Sequence, residues 1–199
     1  MYLCVWSIYT GNYQVALQWK KEHDPQDRLR VIDTGAASGR LGTIVLSSTR
    51  YLAQTNDTEK TYEFAQKAVK SCEEYVFLDK LQYLAAGGRL SKTSAFFGDM
   101  FKMKPVISPQ PEVAIKVGVV RNQKEQIKLA LEKLGATLKK DSSALIMLEY
   151  SDNRDWVERT LKPILKERYP LADILLQPLS LTSGAHMGPG TWGVAFLPE

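Results

Sequence analysis

The hydrophobic positions fall into short continuous runs separated by longer stretches of helical spacing. Leu3 to Ile8 is an apolar run of strand length, led by Val5 and Trp6. Thr10-Gly11-Asn12-Tyr13 breaks it, and Tyr13 to Lys21 reads as a helix. Leu29 to Asp33 is the next strand. A segment with glycines at 35, 39 and 42 then leads into a helix through Leu52. A further helix starts at Asn56 to Thr58, with Tyr62, Ala65, Val69 and Cys72 on one face. Strand, helix, strand, helix in that order argues a parallel sheet. Two strands do not make a stable sheet, so this part reads as a remnant, with earlier strands expected before Met1.

The texture changes after Tyr75 to Phe77. Leu78 to Ala86 reads as a short helix stopped by Gly87 and Gly88, because glycine takes the left-handed conformation of a helix end without a Cβ clash. Arg89 sits on that turn, and Ser91 suits the N-cap of a second helix. A strand follows at Lys104 to Ile107. Val113, Ile115, Val117 and Val119 alternate, as in a strand with one wet face. Gln123 to Leu134 is an amphipathic helix with Ile127, Ala130, Leu131 and Leu134 inward, and Ala144 to Leu148 is a buried strand. Another helix spans Trp156 to Leu165, kinked at Pro163. Ile174 to Leu176 is a strand, and a polar, glycine-rich loop leads to Phe196. A boundary near residues 73 to 78 divides the chain into an α/β remnant (1–75) and a second α/β domain (76–199).

Composition narrows the classes of function. The hydrophobic fraction of 44% supports a real core, and no apolar run approaches the roughly 18 residues of a membrane span. The chain opens with nothing that reads as a secretory signal. Cys4 and Cys72 lie far apart on apolar segments, which is neither a disulfide framework nor a metal spacing and suits a reducing cytoplasm. The net charge of +4 is spread out, without a basic stripe interleaved with aromatics, so nucleic acid is not an expected partner. The glycines at 35, 39 and 42 match neither the dinucleotide fingerprint nor the Walker pattern. No cofactor is expected.

Four stretches, taken together, are recognisable. They are Thr10-Gly11-Asn12-Tyr13-Gln14-Val15-Ala16; Asp33-Thr34 with Ser38-Gly39-Arg40-Leu41-Gly42; Leu81-Gln82-Tyr83-Leu84 through Gly87-Gly88-Arg89-Leu90-Ser91 with Lys104-Pro105-Val106-Ile107; and His186-Met187-Gly188-Pro189-Gly190 with Gly193. In order and spacing the chain resembles the DegV family of bacterial fatty-acid-binding proteins. The family's turn serine is Thr10 here and its following threonine is Asn12. The resemblance implies an α/β fold class: the remnant of a parallel-sheet βαβ domain, then a second α/β domain with a mixed sheet.

It further implies a long-chain fatty acid held in an apolar tunnel, with its carboxylate in the cleft between domains. Burying a methylene is worth about 0.8 kcal/mol, so a tail of about sixteen carbons supplies roughly 10 kcal/mol before ordering costs. The tail therefore gives affinity and the head-group partners give orientation. Those partners are Thr10 through its hydroxyl, Gly11 and Asn12 through N–H groups at a strand–helix turn, and His186 through its imidazole. Neutral donors leave the carboxylate nucleophilic, which suits a carrier that presents it to a kinase, either a separate subunit or a fused domain. Arg89 would meet that partner at the rim, and Ser38 marks a secondary loop. Phe96, Phe97, Met100 and Phe101 read as core or tunnel lining. An acyl-transfer enzyme with Thr10 as nucleophile, His186 as base and Asp33 as orienter is the alternative; no Gly-x-Ser-x-Gly elbow supports it. A regulatory module of a larger fusion is a third reading, and an exposed sheet edge admits a homodimer.

Overall fold

The computed structural model describes residues 1–86, 103–109 and 114–198. The first unit is β1 (Tyr2–Cys4), α1 (Asn12–His23) and β2 (Val31–Asp33), with β1 and β2 paired in parallel as Tyr2↔Val31, Leu3↔Ile32 and Cys4↔Asp33. The βαβ reading of this stretch holds. The strand is shorter than the apolar run, however. Beyond Cys4 the chain turns, with Tyr9 N–H and Thr10 N–H both donating to Trp6 C=O at 2.9 and 3.3 Å. Trp6 is buried while Ile8 is 60% exposed, so hydrophobicity here marks a packed turn as well as a strand.

Helices α2 (Ser38–Thr55) and α3 (Thr58–Ser71) follow. Asp57 caps α3 by accepting from Lys60 N–H at 3.0 Å, one residue inside the start expected from the sequence. Ile44 of α2 packs with Ala36, Ala68 and Cys72, and with Leu197 from the last strand. That cluster fastens the first unit to the second sheet.

The second sheet has six strands in the order β5-β4-β3-β8-β6-β7: β3 (Glu73–Phe77), β4 (Lys104–Pro109), β5 (Ala114–Val120), β6 (Leu145–Tyr150), β7 (Asp173–Pro178) and β8 (Trp192–Leu197). Only β6 and β7 pair in parallel; the other neighbours are antiparallel, so the sheet is mixed. The final strand lies between β3 and β6 and is buried along its whole length. The main core combines this sheet with α5 (Gln123–Thr137) and the helix that precedes β7.

Three local expectations change. The alternation on β5 holds only in part: Val117 packs on the main core, but Ile115 is exposed and Val120, of the other parity, is buried. On α5 the buried set is Gln126, Ala130 and Leu134, with Ile127 and Leu131 only partly covered. The expected proline kink is a π turn, Val157–Leu161, between α6 (Arg154–Trp156) and α7 (Lys162–Arg168). Pro163 has no N–H to give, and Lys162 N–H reaches back to Val157 C=O across the wider turn.

Candidate functional site

The Trp6–Asn12 turn is held from below by the end of β2. Asp33 accepts from Ser7 N–H at 3.2 and 3.4 Å and from Gly35 N–H at 3.3 Å, while the buried Thr34 hydroxyl donates to Cys4 C=O at 2.7 Å. Thr10 is half-buried, and its Oγ1 accepts from Asn12 N–H at 3.2 Å. Gly11 is the N-cap of α1 and supplies no side-chain cap, and the first turn of α1 carries no acidic residue. The partial positive charge of this helix start is therefore uncompensated by the chain's own carboxylates. Asp33, the acid that a Thr10–His186 relay would require, is committed to backbone N–H groups.

His186 lies on a helix, not in the loop read from the sequence. Ser180 accepts from Ser183 N–H at 3.1 Å and caps α8 (Leu181–Met187), and Gly188, at φ 78°, ends it. The sequence signal for this helix was masked by Gly184 and by the polar residues around it. The turn after α8 is tightly braced. Gly190 N–H donates to Asp152 Oδ1 at 2.6 Å and holds that carboxyl below its usual range. Asn153 Nδ2–H donates to Gly190 C=O at 3.2 Å, and Thr191 Oγ1–H to Met187 C=O at 2.9 Å. Gly188 lies against the Tyr83 ring and Gly190 against Asp79, which pairs with Lys104. Met187 and Leu81 pack on a small apolar cluster of Val76, Leu78, Leu84 and Ile107.

The recognisable stretches thus meet in pairs. The Thr10 turn rests on Asp33-Thr34, and the His186–Gly190 turn rests on α4 (Gln82–Ala86) and its approach. Ser38 bonds Glu149 of β6 and accepts from Ser180 N–H at 3.4 Å. Among the described residues no hydrogen bond joins Thr10 to His186. Arg89, the glycine pair before it, Phe96, Phe97, Met100 and Phe101 lie outside the described residues. Two grooves of about 450 and 440 Å³ surround Arg30 and Tyr62, and neither is lined by Thr10 or His186.

Sequence reading missed the buried carboxyls Glu74 and Glu149. Both lie in or beside apolar strand runs, and a carboxyl at an inward register position was the available signal. Burial pushes both above the usual carboxylate range; Glu149 raises Glu74 further, while hydrogen bonds with Ser38, Glu74 and Gln177 pull Glu149 part of the way back. Among the described residues no helix is long and apolar enough to cross a membrane, and no group of three or more His, Cys, Asp or Glu is placed to hold a metal ion.

The family model described as "Uncharacterised protein, DegV family" matches residues 2–199. The chain belongs to the DegV family. A DegV domain-containing protein of Clostridium perfringens is 25% identical over all of this chain and 69% of its own length. One from Lactococcus lactis is 29% identical over 96% of this chain and 67% of its own. A protein of Thermotoga maritima named "Fatty acid-binding protein" is 26% identical over 94% of this chain and 65% of its own. Among solved structures, a fatty-acid-binding DegV protein of Thermus thermophilus superposes with a TM-score of 0.84 at 23% identity, over 98% of this chain and 69% of its own. The Streptococcus pneumoniae Fatty Acid Kinase (Fak) B3 protein, loaded with linoleic acid, superposes with a TM-score of 0.85 at 19% identity, over 99% and 70%. The mixed α/β fold expected from the sequence is therefore the DegV fold. The Thermotoga maritima and Thermus thermophilus proteins are named for fatty-acid binding.

Proposed function

We propose that this DegV-family chain binds a long-chain fatty acid and presents its carboxylate to a fatty acid kinase. The observation that carries the reading is the family match along residues 2–199, joined to a relative named as a fatty-acid-binding protein. Thr10 and the Gly11–Asn12 turn meet the carboxylate from one side and His186 from the other. The start of α1, with no acidic residue in its first turn, favours an anion there. The apolar cluster under Met187 receives the first part of the tail, and Arg89 meets the partner or its phosphate. The name of the Streptococcus pneumoniae neighbour supports the kinase reading, as does the chemistry of neutral donors, which hold a carboxylate without quenching its nucleophilicity.

Organic extraction of the purified chain followed by mass spectrometry is expected to yield a long-chain fatty acid. A chain that carries none and takes up none from vesicles ends the proposal. Thr10→Ala and His186→Ala each remove a neutral donor, worth about 0.5–1.5 kcal/mol, so fatty-acid affinity should fall by only about 2- to 10-fold. Phosphorylation of the bound acid by a supplied fatty acid kinase should fall by more, because aim matters more than holding. Unchanged phosphorylation in both variants removes these residues from the mechanism.

A further inference from the structure

Helix α2 starts without a side-chain cap of its own. Its N-cap is Ala37, and Ser38 holds the left-handed φ of 45°. Two carboxyls from the second sheet take the capping role. Glu74 Oε1 accepts from Arg40 N–H at 3.1 Å, and the Glu149 carboxyl lies against Gly39. Glu74 lies on β3 opposite Ala195 of β8, and Glu149 lies on β6 opposite Gly193. The two side chains meet over β8, where Gly193 leaves the space: a Cβ there would lie 2.7 Å from Glu149 Oε2, and one on Gly39 2.6 Å from it.

The pair is closed to water, with Glu74 4% and Glu149 0% exposed. Glu149 Oε1 accepts from Ser38 Oγ–H and from Gln177 Nε2–H at 3.4 Å. Glu149 Oε2 has no donor unless one of the two carboxyls carries a proton. Arg40 is the cation facing the pair, but its Nη1 and Nη2 go to Pro109 C=O and Val69 C=O at 3.3 and 3.0 Å. Cys72, whose thiol burial keeps protonated, lies beside Arg40, and the Glu73 carboxylate is taken by Tyr75 and Thr137. The helix start offers only about half a positive charge and the Arg40 guanidinium hydrogens are turned to backbone carbonyls, so neither gives the buried Glu149 Oε2 a donor. The pair therefore shares one proton. Ser38 carries the linkage outward, donating to Glu149 and accepting from Ser180 N–H, and Ser180 caps the helix that bears His186.

We propose that the Glu74–Glu149 pair is a positioning device for α8, and that withdrawing its shared proton sets two buried carboxylates against each other, displaces Glu149 from Ser38, frees the start of α8 and speeds release of the bound acid. The release part rests on the fatty-acid reading; the positioning part does not. The native pair binds a proton that the unfolded chain gives up in the ordinary carboxylate range, so stability is full at low pH and falls as pH rises through the pair's own raised range.

The experiment compares the full chain with Glu149→Gln, whose amide oxygen accepts from Ser38 and whose amide N–H donates to Glu74 without a titrating proton. From about pH 6 to about pH 9 the wild-type urea midpoint should fall, amide exchange across residues 181–187 should accelerate after correction for intrinsic rates, and release of cis-parinaric acid should quicken severalfold. Glu149→Gln should flatten all three profiles and exceed the wild-type midpoint at the alkaline end. Equal pH slopes in the two proteins overturn the shared proton. A slope in the midpoint without one in α8 exchange overturns the positioning role. Should Glu149→Gln fail to fold, Glu74→Gln gives the same comparison, and loss of folding in both overturns the proposal. If cis-parinaric acid binds neither protein at any pH, the fatty-acid reading fails, while the midpoint and exchange arms still decide the pair.

Discussion

Replacing Trp192 by alanine is expected to lower unfolding stability by about 3–5 kcal/mol, the usual cost of emptying a large aromatic site in a core. Domains of this kind have only about 5–15 kcal/mol in total. Trp192 is buried at the head of β8, opposite Phe77 on one side and Tyr150 on the other. Its ring stacks on Phe77 with centroids 3.9 Å apart and meets Trp156 at 5.7 Å. Its Nε1–H donates to Gln126 Oε1 at 3.1 Å, and Gln126 Nε2–H reaches Leu78 C=O at 3.3 Å. The alanine variant thus opens a cavity and strips a buried amide oxygen of its donor. Trp192→Phe is the milder change: it keeps a six-membered ring in the site, leaves a smaller void and loses the N–H, and should cost about 1–3 kcal/mol. Urea titration followed by far-ultraviolet circular dichroism measures both. A loss under about 1 kcal/mol in Trp192→Ala would show that the centre of the sheet does not depend on this side chain.

Gln126 shows where sequence reading stops. Periodicity found α5 and its inward residues Ala130 and Leu134, but a glutamine on the same face was passed over because polarity argues for solvent. It is buried because its amide bridges the Trp192 indole and a backbone carbonyl, partners that become neighbours only when β8 enters the sheet. The apolar runs Ala144–Leu148 and Ile174–Leu176 marked the strands found at 145–150 and 173–178, and element order marked the parallel start β1-α1-β2. The insertion of the last strand between β3 and β6 was not, since nothing local encodes which strands a central strand divides. The site followed the same division. Turn chemistry picked out Thr10-Gly11-Asn12 and Gly188-Pro189-Gly190. The helical setting of His186 depends on Ser180 as a cap. Ser38, read as a secondary loop residue, is tied to a glutamate 111 positions away.

The turn that closes α8 is the place where one methyl group should do the most harm to the site. Gly188 has φ 78° and ψ 173°, a region open essentially to glycine alone, and costing of order 1–3 kcal/mol for any other residue. A Cβ there would also fall within the Tyr83 ring. Gly188→Ala should therefore destabilise the chain by about 3 kcal/mol. Its fatty-acid affinity should fall further than that of His186→Ala, because the whole end of α8 is displaced rather than one donor removed. Adding Tyr83→Ala relieves the overlap but not the backbone, so the double variant should recover part of the loss. Gly184→Ala is the internal control. It lies within α8 with open space around its Cα, and alanine there should stabilise the helix by up to about 1 kcal/mol. Thermal melts and cis-parinaric acid titrations of the four proteins test the set. If Gly188→Ala behaves like Gly184→Ala, the turn tolerates a side chain, and the placement of His186 does not depend on this glycine.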